Sequence, residues 1–560
     1  MQLVYTWQEE ETQMASSENK SKTRGVAGKI ILYALIFLVL LLTFSYHWTS
    51  REFGNITFAE IIFTMNMPLQ GTSSTFVKSY ILTALLPSVA ITAGLILVCA
   101  LCHRLMKRRN AALWEKWLRL RALRGVAWAL AIALWLGVLI NHAEGRFGVI
   151  SYFKSLTQQS SFIAEEYVSP AKVKLTFPEK KRNLIYIYLE SAETSSQDAA
   201  NGGLMEDNYI PELTQLAKEN VSFSQSDRIE GASVAPLCGW TMAGIVAQTA
   251  GLPLKLFKTG DGNFGASSAG YTGDLPDDAR DTAALLKNQL DTGADNVMEK
   301  YSDFLPGAVA LGDILKDNGY HNVFMAGSDF VFGGRTNYCK QHGDYEILDY
   351  YVAKRRKVIR PGYRVWWGFE DEILYKWARD ELTRLHEAGE PFNLSMITVD
   401  THHQDGYVCS LCQQRYDDQY ANVWRCASEQ AAAFVEWCKQ QPFYENTTII
   451  IAGDHCSMDS DFYKEYTYDK HDGETLRKTY NVFINPAVQP VREKNRLFTT
   501  LDMFPSTLAA LGVTIEGDRL GLGVNLFSDQ QTLPEKYGYA YMFEELKKKS
   551  LFYDNEILYP

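Results

Sequence analysis

Three groups of polar residues stand directly behind short apolar runs. Glu190 closes NLIYIYLE (183–190). Thr401, His402 and His403 follow FNLSMITVD (392–400). Asp454 closes NTTIIIAGD (446–454) and is followed by His455. Carboxylate oxygen and imidazole nitrogen form a donor set that suits Zn2+ or Mn2+. An ion held there, next to a hydroxyl, lowers the pKa of that hydroxyl and offsets charge on an attacked phosphate. Nearby His and Arg groups would grip phosphate oxygens. Each piece also has a plainer reading. A Glu at a strand end can serve only a helix N-terminus, an Asp-His pair is common, and a His after a strand is often a hydrogen-bonded structural residue.

The apolar runs say what must position these groups. NLIYIYLE, HNVFMAGS (321–328), FNLSMITVD, NTTIIIAGD and YNVFINP (480–486) are short and rich in β-branched and aromatic residues, the pattern of buried strands. Between them lie helical patterns at 210–221, 309–320, 369–389, 428–441 and 502–512. Strands alternating with helices predict an α/β domain with a mostly parallel central sheet covered on both faces. Ligands in such folds sit beyond the carboxyl ends of the strands, where the three polar groups fall. The stretch 256–300, rich in Gly, Asp and Ser, reads as a long surface excursion.

The rest of the 560-residue chain has a different character. Uncharged apolar runs cover 30–48, 80–101 and 125–140. Runs of this length can cross a hydrocarbon core ~30 Å thick at ~1.5 Å per residue. The third is the shortest, and a buried or interfacial helix competes with a span there. No short leader with a small-residue cleavage site is visible, so the first run is expected to stay as an anchor. Basic residues gather before the first run (Lys20, Lys22, Arg24, Lys29) and between the second and third (Arg104 to Arg124). Positive charge stays inside, so a multi-pass protein of the cell membrane is expected, with everything after residue 145 extracytoplasmic. The expected division is 1–145 for the cytoplasmic N-terminus and transmembrane helices, 146–180 as a connector, and 181–560 as the catalytic domain. The net charge of −11, with no basic block in the C-terminal part, argues against nucleic acid as a partner.

YIYLES (186–191), WTMAGIVAQTAGLPL (240–254), TVDTHHQDGY (398–407) and GDHCSM (453–458) together resemble the lipoteichoic acid synthase and phosphoglycerol transferase group of the alkaline phosphatase/sulfatase superfamily. DMFPSTLAALGV and LGLGVNLFS (519–527) resemble the end of its catalytic domain, so the likeness covers roughly residues 180 to 530. That group usually has five spans, against three here. The resemblance implies that Glu190, Asp454, His455 and Thr241 hold a divalent metal, with Mn2+ favoured over Zn2+ or Mg2+. It implies that Thr241 is the nucleophile carrying a phospho-intermediate, and that Thr241 to Pro253 keeps the spacing to a Gly-x-Pro turn. Arg335 falls at a phosphate-binding Arg, and His402, with His403 as alternate, at a phosphate-contacting His. The implied activity moves a glycerophosphate group from a membrane phospholipid, phosphatidylglycerol, to a glycan or glycerophosphate polymer acceptor. Three readings compete with it: a phosphodiesterase or phosphatase, a phosphoethanolamine transferase, and a non-catalytic receptor with a degenerate enzyme domain. On the residues alone, Thr241 could instead be a helix N-cap.

Cys238, three residues before Thr241, invites comparison with a sulfatase cysteine, but CGWTM lacks the Pro or Ala and the Arg that follow that nucleophile. It reads as structural or as a disulfide partner. Cys409, Cys412 and Cys426 could form a zinc knuckle with three thiols, or enter disulfides, which an oxidising compartment favours. His471 reads as a solvated loop residue.

Overall fold

The computed structural model describes residues 2–54, 56–66, 74–109, 121–255, 304–459, 461–463 and 477–560. The expected excursion at 256–300 and His471 lie outside the described residues. The chain forms two compact units, one of residues 1–52 and 74–149, the other of 53–73 and 150–560.

The first unit is built on three helices, α1 (Gln2–Glu52), α3 (Leu86–Arg109) and α4 (Arg121–Phe147). Among the described residues, three stretches are long and apolar enough to cross a membrane: Ala27–Glu52, Phe76–Met106 and Gly125–Phe147. The third is longer than the uncharged run suggests, because the helix continues through Asn141, His142 and Glu144. Their apolar side chains are largely exposed, as Leu134 and Leu97 show, so this unit presents a lipid-like surface. Polar groups within it pair with one another: Trp135 Nε1 donates to Thr43 Oγ1 at 2.9 Å, and Ser79 Oγ donates to Glu52 at 2.8 Å.

The second unit is an α/β domain around a six-stranded sheet. Its strands are β1 (Asn183–Leu189), β2 (His321–Ala326), β3 (Glu346–Leu348), β4 (Phe392–Ile397), β5 (Thr447–Gly453) and β6 (Asn481–Ile484), in the order β3-β2-β4-β1-β5-β6. All neighbours are parallel except β5 and β6. Alternation along β1 supplies both faces. Leu184, Tyr186 and Tyr188 enter one core with α6 (Thr241–Ala250), α7 (Leu311–Asp317) and α11 (Met503–Ala510). Ile185, Ile187 and Leu189 enter the other with α5 (Pro211–Glu219), α9 (Asp371–Ala388) and α10 (Gln419–Lys439).

Two boundaries differ from the sequence expectation for physical reasons. β4 ends at Ile397 and not at residue 400, because the backbone N–H groups of Val399 and Asp400 donate to the Asp371 carboxylate at 2.8 and 3.0 Å. α10 starts at Gln419 and not at 428, because Asp418 caps it by accepting from Ala421 N, and Tyr420 and Trp424 on its first turns are fully buried.

Candidate active site and metal centre

Register does the first part of the assembly. Leu189 pairs with Gly453, so the next residues of β1 and β5, Glu190 and Asp454, meet at the sheet edge. Thr398, just past β4, accepts from Glu190 N at 2.9 Å, and Thr401 Oγ1 donates to Glu190 O at 2.6 Å. Asp454 Oδ1 accepts from Ser191 N and His455 N, at 2.8 and 2.9 Å. Ser191 takes φ 58° at this turn, a left-handed conformation that costs a non-glycine residue energy.

The ligand-type atoms of Glu190, Asp454 and His455 all lie within 4.8 Å of one another, and all three residues are buried. The remaining oxygen, Asp454 Oδ2, accepts no hydrogen bond and stands 3.4 Å from His455 Nε2. His455 Nδ1 is 2.8 Å from the Cys456 carbonyl, which can only accept, so Nδ1 carries the hydrogen and Nε2 faces the carboxylates. Glu190 Oε1 is 3.3 Å from that Nε2. Burial disfavours the Glu190 charge, yet the hydrogen bond and charge of His455 outweigh it and lower the carboxyl pKa. Burial and the Glu190 charge raise Asp454. Burial opposes a charged His455, but the Asp454 and Glu190 charges raise it. The raised Asp454 and His455 show a pocket that draws in positive charge, and the lowered Glu190 keeps the negative charge that attracts it. A buried carboxylate oxygen without a donor, a second carboxylate and an oriented imidazole fit a divalent cation.

Thr241 reaches the same place from the other side. It is the first residue of α6, and the N-cap position is occupied by Trp240, which makes no side-chain cap. The N-cap reading of Thr241 therefore fails. Its hydroxyl lies 3.3 Å from Glu190 Oε2 and 3.5 Å from His455 Nε2. Two contacts dock α6 so closely. Gln248, itself held by Tyr186 OH at 2.7 Å, donates to the Gly453 carbonyl at 2.9 Å. Gly244 lets the helix backbone lie on Asp454, since a Cβ there would stand 2.3 Å from the Asp454 carbonyl oxygen.

Arg335 opens α8 (Arg335–Gln341) and is buried. Its Nε donates to Phe332 O at 3.1 Å, and Nη2 to Ser328 Oγ and Asp329 O at 3.1 and 2.7 Å. Nη1 is left without a partner among the described residues, and Glu190 is close enough to act on the guanidinium charge. His402 is within electrostatic reach of Glu190, His455 and Arg335, and burial lowers its pKa. Its Nδ1 is 2.7 Å from the His403 carbonyl. His403 stacks on it at 4.6 Å and also packs edge-on against Phe53. The site thus brings Glu190, Thr241, Arg335, His402, Asp454 and His455 together, with His403 stacked against His402. Cys238 is fully buried in the core, and burial pushes its thiol up, which makes it inert.

Sequence reasoning missed Glu60. Helix α2 (Phe58–Asn66), from the segment between the first two apolar runs, belongs to the second unit. Glu60 Oε2 accepts from Thr57 N at 2.6 Å, while Oε1 lies against Gly239, where a Cβ would be 3.2 Å away. Burial pushes Glu60 up to about 7, with His455 close enough to oppose the shift. Phe63 on the same helix packs on Trp240 at 5.3 Å. The Thr57-x-x-Glu60 spacing is a capping-box signature and could have revealed the helix. Nothing in the sequence reveals where it docks. A second held contact was missed as well: Glu193 and Arg477 form a buried ion pair, and Glu193 also accepts from Ser457 N at 3.0 Å, fixing the loop after His455.

An α/β domain with two carboxylates, an imidazole and a helix-borne hydroxyl at its strand ends has the construction of the alkaline phosphatase and sulfatase class. Residues 286–513 match the sulfatase family model. The match supports a place in the alkaline phosphatase/sulfatase superfamily, and the relatives the chain resembles are phosphoglycerol transferases. It is 31% identical over 402 residues to phosphoglycerol transferase I of Escherichia fergusonii, covering 70% of this chain and 44% of that relative. It is 32% identical over 374 residues to the same enzyme of Salmonella choleraesuis, covering 65% and 41%. The chain therefore spans less than half the length of the curated relatives it matches. Among solved structures, the lipoteichoic acid synthase LtaP of Listeria monocytogenes aligns over 66% of this chain and 81% of its own, with 16% identity and a TM-score of 0.44.

Proposed function

We propose that the protein transfers a phosphoglycerol-type group from a membrane phospholipid, phosphatidylglycerol, to a hydroxyl of a glycan or glycerophosphate polymer. The observation that carries this reading is the placement of Thr241: its hydroxyl caps nothing and faces Glu190 and His455 at 3.3 and 3.5 Å. The similarity to phosphoglycerol transferases supports the choice of head group.

Glu190, Asp454, His455 and Thr241 would hold a divalent metal, Mn2+ before Zn2+ or Mg2+. Bound there, it supplies Lewis-acid polarisation of the phosphate and a lowered hydroxyl pKa. Thr241 Oγ1 points its hydrogen toward Glu190 Oε2, which leaves its lone pairs for phosphorus. As the Oγ1–P bond forms Thr241 gives up its hydroxyl proton, the bond from phosphorus to the diacylglycerol oxygen breaks, and that oxygen takes the proton. The acceptor hydroxyl then attacks phosphorus, the Oγ1–P bond breaks, and Thr241 recovers a hydrogen. Arg335 Nη1 and the first N–H groups of α6 grip the phosphate oxygens. His402, its Nδ1 fixed by the His403 carbonyl, presents Nε2 to hold or release the proton that moves at the leaving and entering oxygens.

We read residues 1–145 as the anchor, 146–180 as the connector and 181–560 as the catalytic part, outside the cytoplasm, a reading that the basic loops support. The test uses the purified full-length protein with labelled phosphatidylglycerol and phosphatidylethanolamine. Thr241→Ala should keep its fold and bound metal and lose turnover by at least ~10^3-fold, as loss of a covalent nucleophile does. Mass spectrometry should find a glycerophosphoryl adduct on Thr241. Normal turnover by Thr241→Ala, or an adduct on Cys238, would sink the mechanism. An ethanolamine-phosphate adduct would move the head group.

A further inference from the structure

A second cluster of metal-ligating side chains lies outside the active site. Cys409 and Cys412 sit on the turn that leads from His402 to α10, and Cys426 sits on α10 itself. Cys409 Sγ is 3.6 Å from Cys412 Sγ and 3.7 Å from Cys426 Sγ. All three sulfurs lie within 4.8 Å of one another. Three sulfurs bound at ~2.3 Å to one tetrahedral ion stand about 3.8 Å apart. The separations of 3.6 and 3.7 Å are close to the edges of that tetrahedron.

Cys409 and Cys426 are buried, whereas Cys412 is half-exposed and leaves a route in. Gln430, one turn along α10 from Cys426, has Nε2 3.4 Å from Cys426 Sγ and 3.6 Å from Cys409 Sγ. In that orientation its Oε1 is buried with no hydrogen-bond partner. Turning the amide over exchanges the two atoms, which are almost equal in size. The oxygen then occupies a position 3.4 to 3.6 Å from two of the sulfurs. An oxygen at ~2.0 Å and a sulfur at ~2.3 Å on one tetrahedral ion are about 3.5 Å apart.

We propose that Cys409, Cys412 and Cys426, with the Gln430 amide oxygen as fourth ligand, bind a thiophilic divalent cation, Zn2+ first. The site is closed, with four protein ligands, and so is structural and not catalytic. It clamps the turn that begins at Thr401–His402–His403 to α10 and thereby steadies His402. Its ligands are a set separate from the metal centre of the transfer reaction proposed above, with no residue shared with the Glu190–Asp454–His455 group.

The experiment takes the full-length protein in detergent, purified without reductant, strips it with chelator and reloads it with Co2+. The active-site donors include no sulfur, so a thiolate-to-cobalt charge-transfer band in the near ultraviolet reports the cysteine site alone. The band should appear, persist in Asp454→Asn and vanish in Cys412→Ser. Zinc content should fall by one ion per chain between wild type and Cys412→Ser. Gln430→Leu should shift the visible cobalt bands while the ultraviolet band stays, and unshifted visible bands would remove Gln430 from the ligand set. If Cys412→Ser does not fold, alkylation of the wild type decides: Cys412 should resist iodoacetamide until the metal is stripped. A disulfide between any two of the three cysteines, free alkylation of the untreated protein, or a band that survives Cys412→Ser would overturn the site.

Discussion

Gly244→Ala separates a helix effect from a site effect because the two have opposite signs. In an isolated helix the change stabilises by about 1 kcal/mol. In this protein the new Cβ would stand 2.3 Å from the Asp454 carbonyl oxygen and 2.9 Å from its carbonyl carbon. Both neighbours are backbone, so no side chain can swing aside. A relaxed contact needs roughly 1 Å more, and overpacking of this kind costs about 1–3 kcal/mol. The net change in stability is therefore between about 0 and 2 kcal/mol of loss. The functional effect is larger. If α6 backs away, Thr241 Oγ1 leaves its 3.3 Å contact with Glu190, and misplacement of a reacting group by ~1 Å costs about 10^2-fold in rate. The assay is release of labelled diacylglycerol from phosphatidylglycerol in mixed micelles, alongside thermal melting and metal content. Turnover should fall about 10^2-fold with metal retained, because Glu190, Asp454 and His455 stand on strand ends and not on α6. A variant that melts higher than wild type and turns over within twofold would refute the argument that close docking of α6 sets the site.

Glu60→Gln tests the helix that sequence reasoning missed. The folded-state pKa of Glu60 is raised by burial to about 7, so the folded protein keeps a proton that the unfolded chain gives up near ~4.3. That contribution is full below the unfolded value and is lost as pH rises toward 7. Glu60→Gln should flatten this part of the melting-temperature profile and raise stability above pH ~7 relative to wild type. An unchanged profile would mean that Glu60 is solvated. Glu193→Gln leaves the Arg477 guanidinium buried against a neutral partner and should destabilise by about 3–5 kcal/mol. Chemical denaturation measures this, and a loss under ~1 kcal/mol would show a pair no stronger than a surface one.

Much of the fold was legible because burial writes itself into local composition. β1 and β5 carry continuous apolar runs after polar first residues, every residue of each strand is buried, and the polar residue that follows each strand marks the sheet edge. Glu190, Asp454 and His455 stand out by that punctuation, and the resemblance to a known family supplied their expected role. Three features could not be read, and for one shared reason: each depends on which distant backbone or side chain arrives. α10 begins nine residues before its apolar pattern is recognisable, because Tyr420 and Trp424 are buried by other segments. Glu60 looks like an ordinary capping carboxylate until Gly239 is placed beside it. Gly244, inside WTMAGIVAQTAG, looks like a mild helix weakener, and only the Asp454 carbonyl shows why a larger residue would not fit. The residues with the chemistry are thus announced by their type, whereas the distances between them are set by small and capping residues whose partners are far away in sequence. The tolerance of the site should follow that division. Changes at Glu190 or Asp454 remove a donor outright, while changes at Gly244 or Gln248 leave all the donors in place and spoil their spacing.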